Sequence, residues 1–412
     1  MNNKNILLYL TKIFFSLLLI YLGWFQDVVF KIPIAGTLIG AVITVCLAFH
    51  LFNQKKIPVK TVNFELISWS VFVVFAISAG MYIAVNVDIM LSSMFTFIQF
   101  LLLNFIMIYI SIYDQKIDYF INLFLFLSML SALTTVFWGV HYISDRISMS
   151  YETNPNTLGL IMVIGIFCVF YNMQTSRKVV TFFLIFLLFA FSYVIILSGS
   201  RKAFLSAVII IILWLILKLK TLLVSRRENV IKGIVTLVLT FIIGIFLFNK
   251  FVVDTLLFER LANLFDSGDN TRIEMYKESW LLFKDNPLLG VGMENFREVS
   301  SFNRYSHSTY AEMIASTGII GVILYFFPYI TMFSQILKLS RSREKKLKYQ
   351  SNLILIMFGV ILFLGIGVIH IYSIYTFYFF GIILSFIAVN NNNIKKKIFL
   401  ENFNKEGDEN AY

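Results

Sequence analysis

Residues 178–220 read KVVTFFLIFLLFAFSYVIILSGSRKAFLSAVIIIILWLILKLK. Two apolar runs, 178–197 and 203–217, meet at a Ser-Gly-Ser turn and carry charge only at their ends. A helix that crosses a bilayer takes ~20 mostly apolar residues, so this stretch reads as one spanning helix, a tight turn and a second. Outward from it the pattern repeats. Comparable runs lie at 6–25, 32–52, 64–84, 89–112, 118–140 and 157–173 on one side, and at 230–249, 313–336, 352–368 and 372–389 on the other. The 412-residue chain is 59% hydrophobic and 14% charged, with a mean hydropathy of +0.82. That is more apolar sequence than a soluble core of this length would hold. The expected fold is all-α, a polytopic membrane protein of about twelve transmembrane helices. The first run lacks a small-residue cleavage site and is too long for a leader, so it reads as a retained helix.

Charge placement sets the topology. The net charge is +11, but Lys and Arg sit in short clusters between apolar runs, where they orient helices and do not suit nucleic acid. The basic connectors are NQKKIPVK (53–60), QTSRK (174–178), LKLKTLLVSRREN (217–229) and KLSRSREKKLKY (338–349), and IKKK (394–397) opens the tail. DQKID (114–118) falls on the same side and carries no net positive charge, while the intervening connectors are short or acidic. Basic loops stay in the cytoplasm, which places both termini there and the polar segment 250–312 outside. The chain then divides into helices one to nine (1–249), an outer loop (250–312), helices ten to twelve (313–390) and a cytoplasmic tail (391–412). Residues 401–412 read as a disordered polar end. Cys46 and Cys168 fall inside apolar runs, so no disulfide, zinc or redox motif follows.

The outer polar residues carry whatever chemistry the chain has. In the 250–312 loop seven Lys and Arg face ten Asp and Glu, unlike the basic connectors. Arg201 and Lys202 break the inside bias at the outer mouth of the bundle. A basic pair there fits a pyrophosphate or headgroup partner, or a snorkelling anchor on lipid phosphate. In NTRIEMYKESWLLFKDNPLLGVG (270–292), Thr271 and Glu274 make a capping box, and the helix is expected to stop before Asn286-Pro287. Ile273, Tyr276, Trp280 and Phe283 would share a face resting on the membrane or the bundle top. Arg272 in the first turn opposes the helix dipole, which suits an anionic ligand or a pairing with Asp269 or Glu274. Gly290 and Gly292 allow a strained turn.

In RYSHSTYAEMIASTGIIG (304–321), Thr309 and Glu312 make a second capping box, and His307 just precedes the helix. A helix N-terminus favours neutral imidazole, the form able to act as a base; a structural His is the alternative. His50, His141 and His370 have no comparable setting. Asn154 and Asn156 flank Pro155 on the same outer side, where their amides would bond sugar hydroxyls or cap the sixth span.

Together SGSRKAF (198–204), TRIEMYKESWLLFKDNPLLGVGMENF (271–296) and HSTYAEMIASTGIIGVILYF (307–326) resemble the O-antigen ligase and polymerase family, integral-membrane enzymes of the Wzy-polymerase and WaaL-ligase type. The resemblance covers motifs over roughly residues 150–335 and the topology of the whole chain. It implies transfer of a glycan from an undecaprenyl-diphosphate carrier outside the cytoplasmic membrane, with inversion and with no metal, nucleotide sugar or other cofactor. Arg201 and Arg272 match the arginines that hold the diphosphate, and His307 the histidine that activates the acceptor. Asn156 matches the family's Asn at the site rim, with Asn154 and Glu312 as further glycan-binding candidates. Lys202 stands where many members have a small residue, as an added phosphate contact or a surface difference. The implied partners are the lipid-linked oligosaccharide, membrane lipids, a flippase and a chain-length regulator.

The expected activity is polymerisation of lipid-linked repeat units into O-antigen, capsule or exopolysaccharide. A ligase that moves finished glycan to lipid A core or another acceptor is the alternative within the family. A transporter would place ionisable groups near the bilayer midplane and show related halves, whereas here Lys12 is a rare charge within the spans. A peptidoglycan polymerase of the elongation and division type fits the SGSR and HSTY elements less well. Pro328 suggests a kink in the tenth span.

Overall fold

The computed structural model describes residues 3–29, 35–52, 63–141, 145–223, 249–250, 252–262 and 270–409. The span expected at 230–249 lies almost wholly outside them, as do the 53–60 connector and Asp269. The regular elements of the described chain are all helices apart from a two-residue antiparallel pair, β1 (Val140–His141) with β2 (Ile147–Ser148). Its long helices are α1 (Asn3–Ile20, running on to Val28), α2 (Ala35–Phe52), α3 (Phe64–Ile83), α4 (Val87–Asp114), α5 (Asp118–Trp138), α6 (Pro155–Asn172), α7 (Lys178–Ser198) and α8 (Arg201–Leu223). The polar loop carries α9 (Leu256–Ala262), α10 (Asn270–Asp285) and the single turn α11 (Phe296–Val299). After it come α12 (Thr309–Ser340), α13 (Lys345–Leu364) and α14 (Ile374–Glu409). Ten of the described helices are long and apolar enough to cross a membrane, and α2 holds a shorter apolar stretch, Leu38–His50. The protein is an all-α, multi-pass membrane protein.

Burial separates centre from rim. The membrane-crossing windows of α6 and α14 are each 83% buried and that of α4 67%, against 28% and 22% for α7 and α8. The inner three therefore read as helices apolar all round, and the outer two turn Val179, Phe182 and Phe186 of α7 and Leu205 and Ile212 of α8 to the surroundings. Aromatic edges lock the centre: Phe97 of α4 meets Phe377 of α14 at 4.9 Å. Trp69 of α3 is fully buried and donates its Nε1 to the Tyr325 carbonyl of α12 at 3.0 Å. Lys12 does not lie bare in α1, because Asp114 at the end of α4 holds it at 2.5 Å.

α12 is interrupted. The kink is not at Pro328, which the helix accommodates, but at Gly318, whose backbone is left-handed (φ 59°). The segment 287–292 seats in the break: Val291 and Gly292 amides donate to the Ala315 and Ser316 carbonyls, and the Ile319 amide donates to the Pro287 carbonyl, all at 2.9 Å. Non-helical backbone at this depth survives because protein groups, not lipid, satisfy it. Gly290 (φ 72°) and Gly318 are both required here. A Cβ at Gly290 would lie 2.5 Å from the Ala315 carbonyl oxygen, and one at Gly318 2.5 Å from the Leu288 carbonyl.

Two capping boxes are corrected by the structure. The helix α10 already includes Thr271, so Thr271 is not its cap; it does end before Asn286-Pro287. At α12 the cap is Ser308, whose side chain accepts from the Ala311 amide, leaving Thr309 and Glu312 for other partners. The face α10 packs inward is Met275, Ser279 and Leu282, one helical stripe, while Ile273 and Trp280 face out. The tail also differs: α14 continues through residues 401–409, in a run after 389 that holds no proline.

Candidate active site

The site is assembled at one end of the bundle, where α7 ends, α6, α8, α12 and α14 begin and α13 finishes. Local chemistry explains each placement. Asn154 caps α6 by accepting the Asn156 amide at 2.8 Å, with Pro155 at the first helical position. Gly199 ends α7 in a left-handed turn, and Arg201 opens α8. The carbonyls at the end of α7, which have no partner within the helix, attract guanidinium donors, as a helix C-terminus does. Arg146 donates to the Ser198 carbonyl and Arg260, on α9, to the Gly199 carbonyl, at 2.8 and 2.7 Å.

Two adjoining cavities result. The larger, about 410 Å³, is lined by Arg201, Lys202, Arg260 and Arg272 with Ser200, Tyr276 and Asn156, and no carboxylate among the described residues lines it. These cations around one cavity form a positive well suited to an anion with several oxygens. The second, about 230 Å³, is lined by His307, Tyr305, Asn154, Asn156, Tyr372 and Tyr375. Asn156, Gly367 and Val368 belong to both, so they form the shared wall. Arg146 fixes that wall by donating to the Asn156 Oδ1 at 2.8 Å.

His307 is half-buried beside Tyr305, ring centres 4.5 Å apart, and its backbone is left-handed (φ 59°). A non-glycine residue held there is strained by roughly 1–3 kcal/mol, and such strain gathers where a side chain must be presented. The linker between α13 and α14, residues 365–373, supports both cavities. Its Ile366 carbonyl accepts from Tyr276, its Val368 carbonyl from Thr309, and Thr309 Oγ1 in turn accepts the His370 amide. His370 is buried at this end, with Nδ1 3.2 Å from the Tyr329 hydroxyl. Burial pushes its pKa down to about 4, so this imidazole is neutral at ordinary pH. At the edge of the loop, burial raises the Glu294 carboxyl above its ordinary range although Arg297 lies 3.0 Å away.

Of the residues expected from sequence, Arg201, Lys202, Arg272 and Asn156 share one cavity, and His307, Asn154 and Asn156 share the other. Glu312 lines neither: it is wholly buried beneath the loop. Sequence reading missed Arg146, Arg260 and the 365–373 linker.

Residues 185–326 match the family model described as O-antigen ligase. Over this segment the match supports the resemblance to the O-antigen ligase and polymerase family. The match runs from within α7 across the polar loop into α12, and so takes in Arg201, Arg260, Arg272 and His307. No curated protein matches the chain. The match supports glycan transfer of the ligase or polymerase type in general, and four of the residues that line the two cavities, Arg201, Arg260, Arg272 and His307, lie within the matched segment.

Proposed function

We propose that this O-antigen ligase family protein polymerises undecaprenyl-diphosphate-linked repeat units into a surface polysaccharide, on the outer side of the bacterial inner membrane. One observation carries the reading: a cavity walled by Arg201, Lys202, Arg260 and Arg272, with no carboxylate among the described residues, shares a wall with the cavity that His307 enters. The leaving group would be a lipid diphosphate, whose developing charge Arg201 and Arg272 would meet with fixed guanidinium forks, aided by Lys202. The acceptor hydroxyl would enter from the other side of the Asn156 wall, and neutral His307 would take its proton as it attacks the anomeric carbon. Asn154 and Asn156 would hydrogen-bond sugar hydroxyls. The carbon–oxygen bond to the diphosphate breaks as the new glycosidic bond forms, which inverts the configuration.

A transporter is disfavoured by the gathering of polar chemistry at one end of the bundle. Polymerase is preferred to ligase because polymerases are the more diverse class. The test is gel analysis of surface and lipid-linked glycans from a strain lacking the protein, complemented with wild type, Arg272→Ala or His307→Ala. Single repeat units in place of a ladder, with neither variant restoring length, support the polymerase. A full ladder retained on the lipid carrier indicates a ligase, and lipid-linked units that never reach the outer face indicate a transporter.

A further inference from the structure

Glu312 is 0% exposed, yet its Oε2 accepts the backbone amide of Ser306 at 2.9 Å. Ser306 is the residue before His307. The same turn is closed by Ser306 Oγ, which donates to the Ser308 carbonyl at 3.0 Å and accepts the Ser308 amide at 3.4 Å. Ser306 and Ser308 are buried, and only His307 between them reaches the cavity. His307 therefore sits at the crest of a tight, left-handed turn whose base is tied to the first turn of α12. Such a backbone persists only where its surroundings over-determine it. A buried carboxyl is also an expensive way to satisfy one amide, since burying it costs more than a single hydrogen bond returns. One cost falls on His307 and the other on Glu312, which are joined through the Ser306 amide, and both are offset if the turn exists to aim the imidazole.

We propose that Glu312 is a positioning residue: through the Ser306 amide it holds the turn that presents His307 to the acceptor hydroxyl. The inference rests on the reading of His307 as the base. Glu312 would touch neither donor nor acceptor, in keeping with its absence from both cavity walls.

The test uses the full-length protein in detergent with lipid-linked repeat units as substrate, comparing Glu312→Leu, Glu312→Gln, His307→Ala and the double variant His307→Ala/Glu312→Leu. Leu keeps volume and removes the acceptor, whereas Gln keeps an acceptor oxygen. In Glu312→Leu, kcat is expected to fall on the order of 10–100-fold while KM for the donor and the melting temperature stay unchanged. Glu312→Gln should restore most of the rate, and Glu312→Leu should cost nothing further on top of His307→Ala, because both act through one group. Wild-type kcat in Glu312→Leu, full additivity with His307→Ala, or unfolding of both Leu and Gln variants would each overturn the proposal. Wild-type kcat in His307→Ala is a separate result, which removes the base assignment itself and this inference with it.

Discussion

Lys202 lies across Gly367: a methyl group added at Gly367 would run into the Lys202 side chain from Nζ back to Cδ. The first turn of α8 and the α13–α14 linker thus meet at a residue that walls both cavities. Gly367→Ala should push the ammonium out of the cation cavity without disturbing the helices, because the obstacle is the flexible end of a side chain. KM for the lipid-linked donor is expected to rise about tenfold, the worth of one charge-assisted contact. Lys202→Ala should produce a similar rise, and combining the two should add little. Steady-state kinetics on wild type and the three variants checks this; full additivity would separate Lys202 from Gly367.

The arginines of the site divide into two kinds. Arg272→Ala is expected to lower kcat/KM by on the order of 10²–10³, as deletion of a preorganised donor does, and Arg272→Lys should recover little because an ammonium cannot offer the planar fork. Arg146→Ala should act differently. It frees the Ser198 carbonyl and the Asn156 amide oxygen, which costs about 1–3 kcal/mol of stability and shows first as a lower melting temperature in detergent. A melting curve unchanged in Arg146→Ala would count against its structural role.

This division also shows what the sequence could reveal. Arg201 and Arg272 were legible because each broke a local rule, one the inside bias and the other the helix dipole. Arg260 broke none, being one cation in a loop of nearly balanced charge, and Arg146 was hidden in a connector read as acidic. The membrane fold was legible because apolar runs of ~20 residues match the thickness of a bilayer core. The break in α12 was not, since proline draws attention to 328 while the real interruption needs a separate segment, Leu288–Gly292, to satisfy it. The 365–373 linker was lost for a similar reason: its GIGVIHIYS sequence is apolar enough to pass for the end of one span and the start of the next.

His370 gives the stability a pH dependence of known sign. Its folded pKa of about 4 lies below the ordinary value of 6.5 because burial disfavours the charged ring. The unfolded chain therefore binds the proton first. The stabilisation is complete above pH 6.5, declines as pH falls toward 4, and is lost below that. The full swing is on the order of 3 kcal/mol. His370→Gln should flatten the fall in melting temperature between pH 6.5 and 4 relative to wild type. Parallel curves for the two proteins would show that His370 is not buried as a neutral ring.

Gly318 offers the sharpest test of the fold. Its φ of 59° belongs to the left-handed region, and a Cβ there would lie 2.5 Å from the Leu288 backbone, which cannot move aside without pulling 287–292 out of the break. Gly318→Ala is therefore expected to destabilise the protein by about 2 kcal/mol or more, combining backbone strain with a clash against main chain. Because that segment connects α10, with Arg272, to the turn that bears His307, activity should fall together with stability, with no separate effect on either cavity. Gly359→Ala is the matched control, since a Cβ at Gly359 meets nothing within 4 Å and alanine favours a helix. Melting in detergent should rank Gly359→Ala at or above wild type and Gly318→Ala well below. Equal melting of the two variants would mean that α12 runs straight and that the NPLLGVG segment packs elsewhere.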